Sequence, residues 1–141
     1  MNVDRDVVSA RLDLIARLLL DLESAGEVTQ ARMESDRLLR HAVERILGQL
    51  VDLAVSINAH IVAAARGTAP ATYRQSFLEV GELGVLPPEL ASRLARAAGL
   101  RNILAHEYVA IDVALVAAAV PEARRDFPEY LRCVAAHVAK A

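Results

Sequence analysis

An all-α fold is predicted for this chain, an antiparallel bundle of five to six helices, and three observations predict it. Hydrophobic residues fill 55% of its 141 positions but aromatics only 4%, with many Ala and Leu and no Trp, a balance that favours helices over sheets. Apolar residues return every three or four positions along most of the chain. Gly and Pro are few and fall where those patterns stop.

Val8, Leu12, Ile15, Leu19 and Leu22 form one stripe ending before Gly26, the first amphipathic helix. Leu39, Val43, Ile46, Leu50, Leu53, Ile57 and Ile61 carry a longer second helix from about Thr29 to Ala65, closed near Gly67. Thr72 and Gln75 make a capping box for a short third helix, Tyr73 to about Leu83, and Gly84 leads on to Pro87 and Pro88. Pro88 suits the first turn of a fourth helix through Leu90, Leu94 and Ala97. Asp112 and Pro121 read as start signals for two final segments. With no repeat, linker or low-complexity stretch, residues 1–141 are expected to form one domain.

Net charge is −2 and the isoelectric point about 6.1, which excludes coating nucleic acid through overall charge, so any such contact must be local. Lys140 is the only lysine, and although arginine suits phosphate recognition, genome composition produces the same bias. Cys133 is the only cysteine, so no internal disulfide can form, and the start of the chain lacks an uninterrupted signal-peptide core. The cytoplasm is the expected compartment. The longest apolar run, Val113 to Val120, lies between Asp112 and Pro121 and falls far short of the roughly 20 residues of a membrane span, so a soluble protein with no membrane partner is expected.

Chemistry concentrates in Arg101-Asn102-Ile103-Leu104-Ala105-His106-Glu107-Tyr108. On one ideal helix from Leu90, at about 100° per residue, Leu94, Ala97, Arg101, Leu104 and Tyr108 fall within roughly 40° of Leu90. An arginine on that apolar stripe needs a carboxylate, a partner subunit or a solvent-filled cleft. Asn102 and His106, four apart, share a second face, and His106 lies about 140° around and about 7.5 Å along the axis from Arg101. One straight helix cannot aim both at one atom. Either the helix ends before His106 and turns the imidazole back, or a two-fold dimer sets one motif against the other in a shared cleft. The combination is the expectation, and it predicts a homodimer.

Such a cleft suits phosphodiester cleavage without a metal. An imidazole that titrates near pH 6.5 moves protons to and from RNA oxygens, guanidinium groups stabilise the phosphorane, and RNA supplies its own nucleophile in the 2′-hydroxyl. Asn102 is placed to orient His106 or to bond a phosphate oxygen. No spacing matches a zinc site, a P-loop or a dinucleotide fingerprint, so neither metal nor cofactor is expected.

The order Arg101, Asn102, His106, Tyr108 resembles the Arg-x4-6-His signature of the HEPN superfamily, its HepT branch in particular. The resemblance extends to Asp36–Ala54 (DRLLRHAVERILGQLVDLA) as the long second helix, Phe77–Pro87 (FLEVGELGVLP) as the connecting segment, and Val109–Asp112 as the turn after the motif. It implies a HEPN-like dimeric bundle and a toxin of a two-gene toxin–antitoxin system that cleaves RNA without metal. It further implies Arg101 and His106 as the catalytic pair, with Asn102 in support. The partner it implies is a minimal nucleotidyltransferase antitoxin that uses ATP to transfer AMP to Tyr108, within a homodimer or a larger toxin–antitoxin hetero-oligomer. AMP on Tyr108 would set a phosphate and a base beside Arg101, where substrate phosphate must bind.

A plainer reading pairs Arg101 with Glu44 or another acid of the second helix, sets His106 on the last carbonyls of its helix and makes Tyr108 a core phenol. A non-enzymatic helical module that binds nucleotide, RNA or the nucleotidyltransferase is the corresponding alternative function. His41, His60 and His137 read as ordinary surface or core residues, Asp36 as a helix-start charge, and Arg93 and Arg96 as an extension of a phosphate path.

Overall fold

The computed structural model describes residues 3–106 and 112–140, without the side chains of Ala105 and His106. Among the described residues six helices follow one another: α1 (Arg5–Ser24), α2 (Gln30–Ser35), α3 (Arg37–Arg66), α4 (Tyr73–Glu82), α5 (Pro88–His106) and α6 (Val113–Lys140). No strand occurs among the described residues, in accord with the expected all-α bundle.

Two caps fall where the sequence signals them, at Thr72 and Gly67, and Asp4 is a third that it did not single out. Asp4 accepts from the amides of Asp6 and Val7 to start α1, and Thr72 accepts from Gln75 N to start α4. Gly67 closes α3 at φ 85°, a left-handed conformation that an L side chain rarely adopts.

Two segmentations differ from expectation. The pattern from Thr29 onward is broken at Asp36, which ends α2 with extended backbone (φ −131°, ψ 95°) and caps α3 by accepting from Leu39 N. The short carboxylate offers the backbone a competing partner at the point where one helix would otherwise continue. Conversely, the last two segments are one helix, since α6 runs through Pro121 and Pro128. Each proline removes a helical hydrogen bond, at about 3 kcal/mol. Yet Val116, Val120, Ala123, Phe127, Tyr130, Val134 and Val138 keep one buried stripe in phase through both prolines. Burying a side chain such as Val or Phe contributes about 1.5–3 kcal/mol, so the stripe outweighs the breaks.

The central element is α3, which packs against α1, α4, α5 and α6, while α2 lies on α6 and α3. Its Val43, Leu50, Ala54, Ile57 and Ile61 meet Val8, Ile15 and Leu22 of α1, Phe77 of α4 and Leu94 of α5 in one core. By length and composition α3 could also cross a membrane, but the central helix of a bundle passes the same test.

A buried polar chain fixes how α6, α3 and α4 meet. Tyr130 Oη donates to Asn58 Oδ1 at 2.7 Å, Asn58 Nδ2 donates to Ser76 Oγ at 3.2 Å, and Ser76 Oγ donates to the carbonyl of Tyr73 at 2.8 Å. All three side chains are buried, and burial holds the Tyr130 phenol well above its ordinary pKa, so it remains a donor. The approach of α4 to α5 is set by Gly81, where an added Cβ would stand 2.7 Å from Ala91 Cβ.

Candidate active site

The fourth-helix pattern becomes α5, and it continues through His106 rather than ending before it. No Gly or Pro stands between Leu100 and His106, so nothing local stops the helix before the histidine. The expectation that the helix ends before His106 is therefore corrected. Tyr108 and the turn from Val109 lie outside the described residues, as does the His106 side chain.

Arg101 does not stand unpaired on its stripe. Its Nε donates to Asp52 Oδ1 at 2.7 Å and its Nη2 to Asp52 Oδ2 at 3.2 Å, a two-pronged pair between α5 and α3. An acid of the long helix is thus the partner, but it is Asp52; Glu44 is engaged by Arg40 at 2.8 Å. Asp52 is the only carboxylate between Glu44 and Glu79, a lone acid between Val51 and Leu53, and that isolation was the signal available in the sequence.

Tyr73, the first residue of α4, completes the group. The Arg101 guanidinium lies 5.8 Å from the centroid of its ring, close enough for a cation–π contact. Partial burial, then the charge of Asp52, raises the Tyr73 phenol above its usual pKa, with Arg101 opposing. The hydrogen bond to Asp52 raises Arg101 further above its already high value, against a smaller desolvation effect. Arg101 therefore stays a cation and Tyr73 a neutral phenol through neutral pH.

Two of the five guanidinium N–H groups go to Asp52, which leaves three to point elsewhere. Arg101 and Leu104 form the ridge between two depressions. One is an apolar cleft of about 520 Å³ between α5 and α6, floored by Leu47 and Val51, with Ile103 and Leu115 at its mouth. The other is a polar groove of about 360 Å³ along α3. Asn102 sits one residue on and is exposed, on the face it shares with His106.

The basic residues before the motif divide. Arg93 is tied to Asp126 at 3.0 Å and lies 3.6 Å from Glu129, so it braces α5 against α6 and does not extend a phosphate path. Arg96 lines the apolar cleft. Asp126 is buried, which alone would raise its pKa, but hydrogen bonds from Arg125 and Arg93 bring it below the usual carboxylate range. Of the isolated histidines, His60 Nε2 accepts from Asp4 N at 2.8 Å and pins the start of α1. Among the described residues no group of three His, Cys, Asp or Glu side chains is placed to hold a metal ion.

Comparison with known proteins bears on this geometry. The profile of a family described as ribonuclease HepT-like matches residues 14–134. A tRNA nuclease HepT from Aphanizomenon flos-aquae is 33% identical over 131 residues, which span 93% of this chain and 89% of that protein. A tri-AMPylated Shewanella oneidensis HEPN toxin, solved in complex with MNT antitoxin, superposes with a TM-score of 0.84 at 21% identity, covering 94% of this chain and 99% of that one. The cytosolic protein YutE of Bacillus subtilis superposes with a TM-score of 0.85 at 12% identity, covering 98% and 92%. At those identities the two structural likenesses speak for the fold alone.

Proposed function

The chain belongs to the HepT-like ribonuclease family, and from that premise we propose that it is a metal-independent endoribonuclease toxin of a two-gene toxin–antitoxin system. The observation that carries the catalytic part is Arg101, held at the ridge between two clefts by Asp52 with three N–H groups to spare. A guanidinium fixed in this way is organised before substrate arrives, the condition under which it stabilises a phosphorane most.

In this reading the 2′-hydroxyl of RNA attacks the adjacent phosphorus and the bond from phosphorus to the 5′ oxygen breaks, leaving a 2′,3′-cyclic phosphate and a 5′-hydroxyl. His106 takes the 2′-hydroxyl proton and supplies one to the leaving oxygen, Arg101 binds the equatorial oxygens, and Asn102 orients the imidazole. A tRNA is the substrate class favoured, because the curated relative is a tRNA nuclease.

With the helix continuing through His106, the second copy of the chain is the route by which both motif faces reach one phosphodiester. The apolar cleft suits that copy. Exposed Ile103 and Leu115 border it, small Ala97, Gly99, Ala118 and Ala119 permit close helix approach, and Arg96 and Glu122 offer opposite charges for a two-fold contact. The antitoxin in this reading is an ATP-using nucleotidyltransferase that places AMP on Tyr108, supported by the tri-AMPylated HEPN toxin solved with its MNT partner. Phosphate introduced there would compete with substrate for Arg101.

The test is cleavage of tRNA by the purified chain in excess EDTA. Activity is expected to persist and to fall by roughly a hundred-fold or more in Arg101→Ala and in His106→Ala, with helix content unchanged. Turnover that survives both substitutions would end the catalytic reading. RNA binding without turnover in the parent protein would favour the non-enzymatic module, for which the Arg101–Asp52 pair is merely a brace.

A further inference from the structure

Gly48 lies near the middle of the 30-residue α3, where alanine would make a more stable helix. Packing among the described residues gives no reason for it: an added Cβ would meet none of their atoms within 4 Å. The open space belongs to the polar groove that ends at Arg101. On the helix wheel His41, Arg45, Gly48 and Asp52 fall on one face within about 60° of one another, with Gln49 to one side, over about 16 Å of α3.

The electrostatics of this groove favour an anion. Its two carboxylates are already answered, Glu44 by Arg40 at 2.8 Å and Asp52 by Arg101 at 2.7 Å. Arg45 is exposed and has no ion-pair partner among the described residues, so it leaves a positive surplus. Gln49 adds an amide that can both donate and accept, as recognition of a base edge requires. A volume of about 360 Å³ lies within the range of small-ligand sites.

We propose that this α3 groove is a nucleotide subsite that holds the RNA strand next to the bond cleaved at Arg101, with Arg45 on a phosphate and Gly48 leaving room for the nucleotide. The proposal rests on the ribonuclease reading and adds to it where the strand runs. The second copy of the chain then takes the apolar cleft on one side of Arg101 and the RNA takes the polar groove on the other.

The probe is a fluorescently labelled 2′-O-methyl oligoribonucleotide, which can bind but lacks the hydroxyl that attacks phosphorus. In anisotropy titrations Gly48→Leu is expected to weaken binding by roughly ten-fold or more while its melting temperature stays level or rises. Arg45→Gln is expected to weaken binding and to reduce the slope of log affinity against log salt by about 0.7. Parent-like affinity in both variants, together with loss of cleavage in Arg101→Ala, would overturn the groove and leave the ribonuclease reading standing. A parent protein that neither binds nor cleaves RNA removes both. A lower sedimenting mass for Gly48→Leu would assign the groove to contact between copies, and that also overturns the proposal.

Discussion

Arg101 and Asp52, 49 residues apart in sequence, meet through two parallel N–H···O contacts of 2.7 and 3.2 Å. The pair fixes the plane of the guanidinium without burying it, since the Arg101 side chain stays 25% exposed and that of Asp52 39%. An ion pair this open contributes little to stability, about 0–1 kcal/mol, so its consequence lies in orientation.

Asp52→Asn is accordingly expected to leave the melting temperature nearly unchanged while single-turnover RNA cleavage slows by about ten- to a hundred-fold. Asp52→Glu should recover part of the rate, because a longer carboxylate still reaches the fork. Equal losses of stability and rate in Asp52→Asn would show that the pair only holds the fold.

The buried chain from Tyr130 to Asn58 and Ser76 makes a contrasting prediction. Tyr130→Phe keeps the ring but leaves Asn58 Oδ1 without its 2.7 Å donor inside the core. A loss of about 1–3 kcal/mol in urea denaturation is expected, with the cleavage rate of the folded protein unaltered.

Gly81 sets the distance between α4, which carries Tyr73, and α5, which carries Arg101. Gly81→Ala puts a methyl 2.7 Å from Ala91 Cβ, and about 1–3 kcal/mol of destabilisation is expected in spite of the better helix former. Adding Ala91→Gly should return much of that stability, a compensation readable in a double-mutant denaturation series.

Acid sensitivity follows from Asp126. Burial opposes its ionisation, but the hydrogen bonds from Arg125 and Arg93 prevail and depress its folded pKa. A depressed carboxyl contributes stability that is present above the unfolded value of about 3.9 and is lost as pH falls through the folded one. Asp126→Asn should therefore be less stable than the parent at pH 7, and the gap should narrow below about pH 3.9. Denaturation curves at the two pH values measure it; a gap that widens in acid would contradict the assignment.

Much of this architecture was legible residue by residue. The stripes of α1, α3 and α5, the Thr72 cap, the Gly67 stop and the Pro88 start are local signals, because a 3.6-residue period and a capping side chain act within a turn or two of helix. The unbroken pattern from Thr29 and the Pro121 start were misleading for a related reason. A local signal offers a start or a stop, and the packing of α6 through Pro121 and Pro128 overruled one offer while the Asp36 cap took up another.

By itself the sequence determined the apolar stripes, most of the caps, the family resemblance and the motif residue types, all of which depend on neighbours along the chain. Only the tertiary structure decided that Asp52 rather than Glu44 holds Arg101, and that Gly48 opens a groove beside it. Glu44 and Asp52 lie eight residues apart on α3, about 12 Å along the axis and about 80° around it, so the choice turns on where α5 comes to rest. That position is set by Gly81 against Ala91 and by the core between α3, α4 and α5, contacts whose partners no local pattern names.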